Sequence, residues 1–279
     1  MSKHKKTPRI NPLDCALPAG GIDTHAHMND PAFDEDRDEV LKRAAQCGLS
    51  HVANVFLNPA TFPEDAGLFR DHPEVFFLLG VHPDDARPFC QATLDLIRTR
   101  IRECPRIRAI GEIGLDYSRP DPECTPHDVQ KAAFTAQLRL AAELDMPVSI
   151  HCRDAQEDTL SILESEGFAG RPLVWHCFGG GPELVRRLVR NGWYVALGGT
   201  VTFKNNPQAR EAVPYIPDDR LLMETDCPYL SPVPWRGTRN EPAYTVFTIR
   251  TLAECRGVSP EALWQQCGRN AKKLFRLED

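Results

Sequence analysis

No two cysteines in this chain have the C-x-x-C spacing, although ten are spread over its 279 residues. That absence speaks against a zinc knuckle or a dithiol motif. No leader with an apolar core precedes the first regular element, so no disulfide framework is expected and a reduced, cytoplasmic chain is the expectation. No apolar run approaches the ~18 residues that would cross a bilayer, so no membrane partner is expected. Positive charge is not in excess either. The formal net charge of −6 excludes a broad basic surface that wraps nucleic acid by charge alone, but not a site that grips phosphates locally. Two nucleotide-binding signatures are also missing: no G-x-G-x-x-G follows the first strand, and no G-x-x-x-x-G-K-[ST] occurs anywhere. There is no solenoid-type repeat and no low-complexity segment.

What is present is an ordinary globular composition, 42% hydrophobic and 26% charged, with length enough for one large core. Residues 1–20 are basic and then Pro-rich, and read as a loose tail. From residue 21 onward, short apolar runs alternate with helical patterns. Strands are expected at 21–27, 51–56, 75–82, 108–114, 147–151, 173–176, 193–198 and 221–226. Helices are expected at 33–48, 62–71, 90–103, 126–144, 155–166, 182–191 and 206–213, with two more at 242–256 and 260–275. Eight such units predict a parallel (β/α)8 TIM barrel over 21–279 as a single catalytic domain. The doubly wound open sheet is the alternative.

The chain is organised around Asp23-Thr24-His25-Ala26-His27. Alternation in a strand sends His25 and His27 to one face together with Asp23, and Ile22, Thr24 and Ala26 to the other. Other polar residues also close their strands: His82, Glu112, His151, His176 and Asp226. In a barrel of this kind all these ends meet at one mouth, where active sites lie. Imidazoles and carboxylates buried together require compensating cations. His25, His27, His151, His176, Glu112 and Asp226 therefore form a candidate set for two divalent ions. Glu112 would bridge, His25, His27 and Asp226 would serve one ion, and His151 and His176 the other. Mixed ligands of this kind suit Zn, Mn, Fe, Ni or Co, and Mg where water completes the shell. Cys152, Cys177 and Cys227 each follow an expected ligand, so alternation predicts that their side chains turn away from the ions.

Asp-Thr-His-Ala-His (23–27), Gly-Val-His-Pro (80–83), Gly-Glu-Ile-Gly-Leu-Asp-Tyr (111–117) and His-Cys-Arg-Asp (151–154) resemble the signatures of the TatD family of metal-dependent hydrolases. So do His-Cys-Phe (176–178), Glu-Thr-Asp-Cys-Pro-Tyr-Leu (224–230) and Arg-Gly-Thr-Arg-Asn-Glu-Pro (236–242), and the similarity runs over nearly all of 21–277 in family order. The resemblance implies a TIM barrel of the amidohydrolase type, two divalent metals and deoxyribonuclease activity, with the same six ligands. One departure stands out. Gly179-Gly180-Gly181 follows His-Cys-Phe where the family commonly has Ser or Thr and then Gly, which removes a hydroxyl from the rim.

The expected reaction is phosphodiester hydrolysis, with Asp226 accepting the proton of the attacking water and His82 touching substrate or handling a proton. Arg153, Lys204, Arg236 and Arg239 are the candidate phosphate contacts. Asp116 is expected to orient a neighbouring ligand, and Glu224 to act behind the ligands. Phe178, Phe203, Tyr229 and Trp235 fall near the mouth and could stack bases. An exonuclease acting on DNA strand ends, with RNA as a further substrate, fits an acidic chain with a pocket-like mouth; the 3'–5' type and a monomer are the expectation, though neither charge nor shape sets the direction of digestion. The competing readings are an amidohydrolase-type enzyme cleaving a C–N or ester bond, and a barrel kept as a non-catalytic subunit. Many amidohydrolases bridge their ions with a carbamylated lysine after strand four, and here that place holds Glu112.

Overall fold

The computed structural model describes residues 8–119 and 125–278; Lys3, His4, Lys5, Lys6 and Cys124 lie outside the described residues. Eight strands follow chain order around one parallel sheet: β1 Gly21–Ala26, β2 Leu49–Phe56, β3 Val75–Leu79, β4 Ile107–Asp116, β5 Val148–Arg153, β6 Leu173–Trp175, β7 Tyr194–Leu197 and β8 Leu221–Met223. The sheet closes on itself just past β8, where Asp226 N donates to His25 O at 2.8 Å and His27 N to Cys227 O at 2.8 Å. The connecting helices are α1 Arg37–Gln46, α2 Phe62–Gly67, α3 Gln91–Glu103, α4 His127–Glu143, α5 Gln156–Ser165, α6 Pro182–Arg190 and α7 Pro207–Ala212, followed by α8 Thr245–Arg256 and α9 Pro260–Phe275. The expected (β/α)8 barrel is the observed fold. No helix among the described residues is long and apolar enough to cross a membrane.

Two apolar layers hold it together. The larger lies between the strands and the surrounding helices and carries Phe56, Phe69, Phe77, Phe134 and Trp193. The smaller fills the barrel itself. Ile22, Val55, Phe76, Leu78, Val174 and Leu222 meet there, and Ala271, Leu274 and Phe275 at the end of α9 join them. Full burial of aliphatic and aromatic side chains of this size is worth about 1.5–3 kcal/mol each. With its interior packed below, the barrel can be polar only toward its mouth.

Ile22 corrects the strict alternation expected across 22–27. It sits inside the barrel although His25 does too, because the β1–β2 register is irregular at Gly21/Ile22 and again between Asp23 and Ala26. A similar irregularity in β4 between Ile110 and Ile113 lets Ala109 and Glu112 both face inward. Part of the segment read as a loose tail is packed. Asn11 caps a 3-10 turn over Pro12–Cys15, Leu17 is buried, and the indole nitrogens of Trp235 and Trp264 donate to Ile10 O and Pro18 O.

Candidate metal centre at the barrel mouth

Glu112, on β4, is the hub of the mouth. Its two oxygens face different groups. Oε2 lies 3.3 Å from His25 Nε2 and 3.8 Å from His27 Nε2, while Oε1 lies 2.6 Å from His151 Nδ1, 3.2 Å from His176 Nε2 and 3.8 Å from His82 Nε2. Asp226 joins the first group, with Oδ1 3.4 Å from His27 Nε2 and 3.9 Å from His25 Nε2. The rings of His25 and His176 stack at 3.6 Å. Donor atoms of His25, His27 and Asp226 lie within 4.8 Å of one another, as do those of His82, Glu112 and His151. The six expected ligands are thus brought together, and His82 stands with them.

Several of these buried atoms lack hydrogen-bond partners among the described residues: both ring nitrogens of His25, His176 Nδ1 and Glu224 Oε2. His25 Nε2 and His176 Nδ1 are within ion-pair distance of carboxylates, but the angles do not make hydrogen bonds. Orphaned buried polar atoms are costly. His151 bonds Glu112 and Asp116, but the His25 nitrogens converge on the oxygens of Glu112 and Asp226 without bonding them, a need that a divalent cation satisfies, so the donor set fits metal ions.

Electrostatics follow from this crowding. Burial pushes the His25 pKa down, and neighbouring His176 adds to the effect. Burial works against ionised Glu112, yet His176, His25 and His151 outweigh it and hold the carboxyl well below its usual range. Burial likewise opposes a charged His151, but Asp116 and Glu112 on its two nitrogens raise its pKa to about 9. Asp226 stays ionised against burial because His27, His176 and His25 surround it. Beneath them, burial lifts Asp23 to about 8 even though Thr225 and the backbone of His25 donate to it.

A second ring of residues fixes the first. Asp116 Oδ2 takes His151 Nε2 at 2.9 Å, and Glu224 Oε1 lies 3.1 Å from His176 Nδ1 while accepting from Cys177 N at 2.5 Å. Gly114 sits at φ +149°, where an added Cβ would lie 1.9 Å from His151 O, so β4 and β5 could not approach here with a side chain. Sequence reasoning missed two glutamines on α4. Val81 N donates to Gln137 Oε1 (2.8 Å) and Gln137 Nε2 donates back to Val81 O (3.1 Å); Asp116 N and O make the same pair of bonds with Gln130, both at 2.9 Å. One helix face thereby holds the backbone beside His82 and at Asp116, both of which touch His151. The available signal was two amides seven residues apart within a buried stripe of Ala133, Phe134, Leu138 and Ala141.

The mouth opens into a cavity of about 950 Å³. Of the four candidate phosphate contacts, Arg153 lines it. Arg239 is engaged elsewhere: it forks onto Asp36 at 2.7 and 2.6 Å and donates to Ala32 O. Arg236 lies over Phe203, and Lys204 is exposed away from the cavity lining. Arg119, not anticipated, also lines the cavity and pairs with Asp84 at 3.1 Å. Of the four mouth aromatics, Phe178 is buried, Trp235 stacks on Tyr244, and Tyr229 alone reaches the cavity. Cys152 turns toward α5 as expected, its sulfur accepting from Thr159 Oγ1 at 3.4 Å, whereas Cys177 corrects the expectation. At Cys177 a left-handed backbone (φ +48°) breaks the alternation, and its sulfur comes near His176 and Asp226.

An eight-stranded parallel barrel with imidazoles and carboxylates gathered at the C-terminal ends of its strands defines the class of metal-dependent hydrolases. The chain matches the model for the family described as TatD related DNase over residues 22–276. It is 38% identical over 256 residues to the uncharacterized metal-dependent hydrolase YabD of Bacillus subtilis, covering 92% of this chain and 99% of that one. It is also 38% identical over 262 residues to the 3'-5' ssDNA/RNA exonuclease TatD of Erwinia billingiae, with 92% and 99% covered. In structure it is similar to YJJV, a TatD homolog from Escherichia coli K12, with a TM-score of 0.86, 27% identity, and 93% and 99% of the two chains covered. The chain belongs to the TatD-related DNase family.

Proposed function

We propose that residues 21–279 form one catalytic domain that hydrolyses phosphodiester bonds at the ends of nucleic acid strands in the 3'–5' direction, with two divalent ions held at the mouth. The observation that carries this reading is the division of labour at Glu112, whose Oε2 faces His25 and His27 while Oε1 faces His151 and His176. Glu112 would bridge, His25, His27 and Asp226 would hold one ion, and His151 and His176 the other. Such ions polarise a phosphoryl oxygen, activate water and steady the leaving oxygen.

The chain's own residues supply the rest. Ionised Asp226, at the open side of the cluster, accepts the proton of the attacking water. Asp116 fixes the His151 ring by a hydrogen bond, and Glu224 places its charge 3.1 Å from His176 Nδ1. His82, beside Glu112 and against His151, stands where a leaving oxygen would need a proton. Arg153 and Arg119 offer forked donors to phosphate oxygens at the cavity wall. The activity named for the Erwinia relative supports single-stranded DNA or RNA as substrate. Cysteines scattered without C-x-x-C spacing support a reducing compartment, and we propose a cytoplasmic monomer.

The test is digestion of end-labelled single and double strands by protein reloaded with Mg, Mn or Zn. Asp226→Asn should slow turnover by roughly 10²–10⁴-fold. Glu112→Ala should lower the metal content found by elemental analysis. Hydrolysis of a simple amide or lactone with no turnover of strands or phosphodiester dyes would favour the amidohydrolase reading instead.

A further inference from the structure

The rim of the cavity differs from one side to the other. With eight strands in chain order, the β8–β1 seam lies across the mouth from the β4–β5 junction. On the β4–β5 side stand the two cavity-lining arginines, Arg119 after β4 and Arg153 at the end of β5, both exposed. The Arg153 side chain has no ion-pair partner among the described residues, and Arg119 shares Asp84 with His82. On the β8 side the cavity is lined instead by Tyr229 and Leu230, which are 54% and 38% exposed. Glu112 and the histidines lie between the two sides.

Tyr229 is exposed yet fixed. Its hydroxyl bonds to Asp30 Oδ2 at 3.1 Å, its carbonyl accepts from Asn240 Nδ2 at 2.7 Å, and among the described residues its ring meets only one other ring, the edge of His27, at 6.1 Å between centroids. Leu230 beside it is held at φ +55°, an unfavourable backbone for a branched side chain that directs it to the rim. A rigid aromatic face beside an apolar side chain, open to water at the rim of the cavity, has no stacking partner among the described residues. The other mouth aromatics have theirs, as Trp235 on Tyr244 and Phe203 under Arg236 illustrate.

We propose that Tyr229, backed by Leu230, is the platform on which the terminal base of the substrate strand stacks, while the phosphates of the remaining strand run toward Arg153 and Arg119. The scissile phosphate then lies between the two sides, against the Glu112 cluster, and the nucleotide released is the one on the tyrosine side. A stacked terminal base must be unpaired, so the platform selects single-stranded or frayed ends whatever the base identity. This inference rests on the phosphodiesterase reading above and assigns to it a residue that determines specificity.

The experiment compares two strands of one sequence, one with a normal 3'-terminal nucleotide and one with an abasic tetrahydrofuran residue there. The wild-type protein should favour the base-bearing end in kcat/KM by about 5- to 150-fold, the range that stacking of one base provides. Tyr229→Leu should bring that ratio close to one, and Tyr229→Phe, which keeps the ring and loses only the bond to Asp30, should retain most of it. A second readout does not depend on turnover. A 3'-terminal 2-aminopurine should be quenched on binding to Asp226→Asn protein and not on binding to the Asp226→Asn, Tyr229→Leu double variant. If bis(4-nitrophenyl) phosphate is turned over but the wild-type ratio is near one, or is unchanged in Tyr229→Leu, the platform is overturned and the phosphodiesterase reading stands. If neither dye nor strand is hydrolysed with any metal, both fall.

Discussion

Gln137 offers a direct measure of how firmly α4 holds the mouth. Its amide closes a two-way pair of bonds with the backbone of Val81, a residue 6% exposed, and donates again to Ala133 O. Gln137→Leu keeps the bulk but leaves the largely buried Val81 N and O without the amide that pairs them. Each orphaned group costs about 1–3 kcal/mol, and the added apolar burial offsets part of that, about 1–2 kcal/mol. A net loss of about 1–4 kcal/mol should lower the melting temperature of a chain this long by about 2–7 °C. Gln137→Glu separates the bonds from the bulk. A buried carboxylate facing two carbonyls prefers to be protonated, so its pKa in the folded state is raised above the unfolded value near 4.3. The protonated acid can donate as the amide did. Its deficit relative to wild type should therefore be smallest at the acid end and grow as pH rises through the folded pKa. Thermal denaturation of both variants and wild type, followed by circular dichroism across pH, reads all of this. A Gln137→Leu protein melting within 1 °C of wild type, or a Gln137→Glu deficit independent of pH, would refute the reasoning.

Three further outcomes are expected. Glu224→Gln removes the carboxylate charge 3.1 Å from His176 Nδ1 and should weaken metal binding about 10- to 100-fold in a chelator competition titration, whereas unchanged affinity would show that Glu224 does not support that ring. Arg153→Ala should raise KM for oligonucleotides by about 10-fold or more, as loss of a charge-assisted contact requires, while Arg239→Ala, which breaks the fork to Asp36, should act on stability rather than on KM; the reverse pattern in steady-state kinetics would reassign them. His72 bonds both Asp38 and Glu74 at 3.0 Å, and although burial opposes its charge, these carboxylates raise its pKa. Its contribution is therefore complete below the unfolded value near 6.5 and is lost as pH rises through the folded pKa, so His72→Gln should flatten that part of the pH–stability curve seen in urea titrations.

Much of this architecture was legible because the barrel writes itself twice in the sequence. Apolar runs such as Val75–Leu79 mark strands buried on both faces, and the polar residues that close them (His82, Glu112, His151, His176, Asp226) mark the mouth. What stayed hidden depends on local backbone geometry or on pairs distant in sequence. Cys177 faces the cavity because of one left-handed residue, and Ile22 faces inward because β1 slips register; neither is visible to a rule of strict alternation. Arg239 looked like a phosphate contact because its loop follows β8, but its guanidinium had an acceptor waiting in Asp36, ahead of α1. The glutamines of α4 were invisible for a different reason. Their partners are main-chain atoms, and a sequence does not display which backbone groups will need satisfying.

The seam between the first and last strands has a consequence for biosynthesis. His25 and His27 leave the ribosome early, whereas Asp226, whose amide bonds His25 O across the seam, emerges only when most of the chain has been made. A growing polypeptide therefore carries two of the six residues proposed to hold cations through the synthesis of about 200 further residues, without the carboxylate proposed to complete them. On the proposed roles, hydrolytic competence is withheld from every truncated product that stops before the seam is sewn.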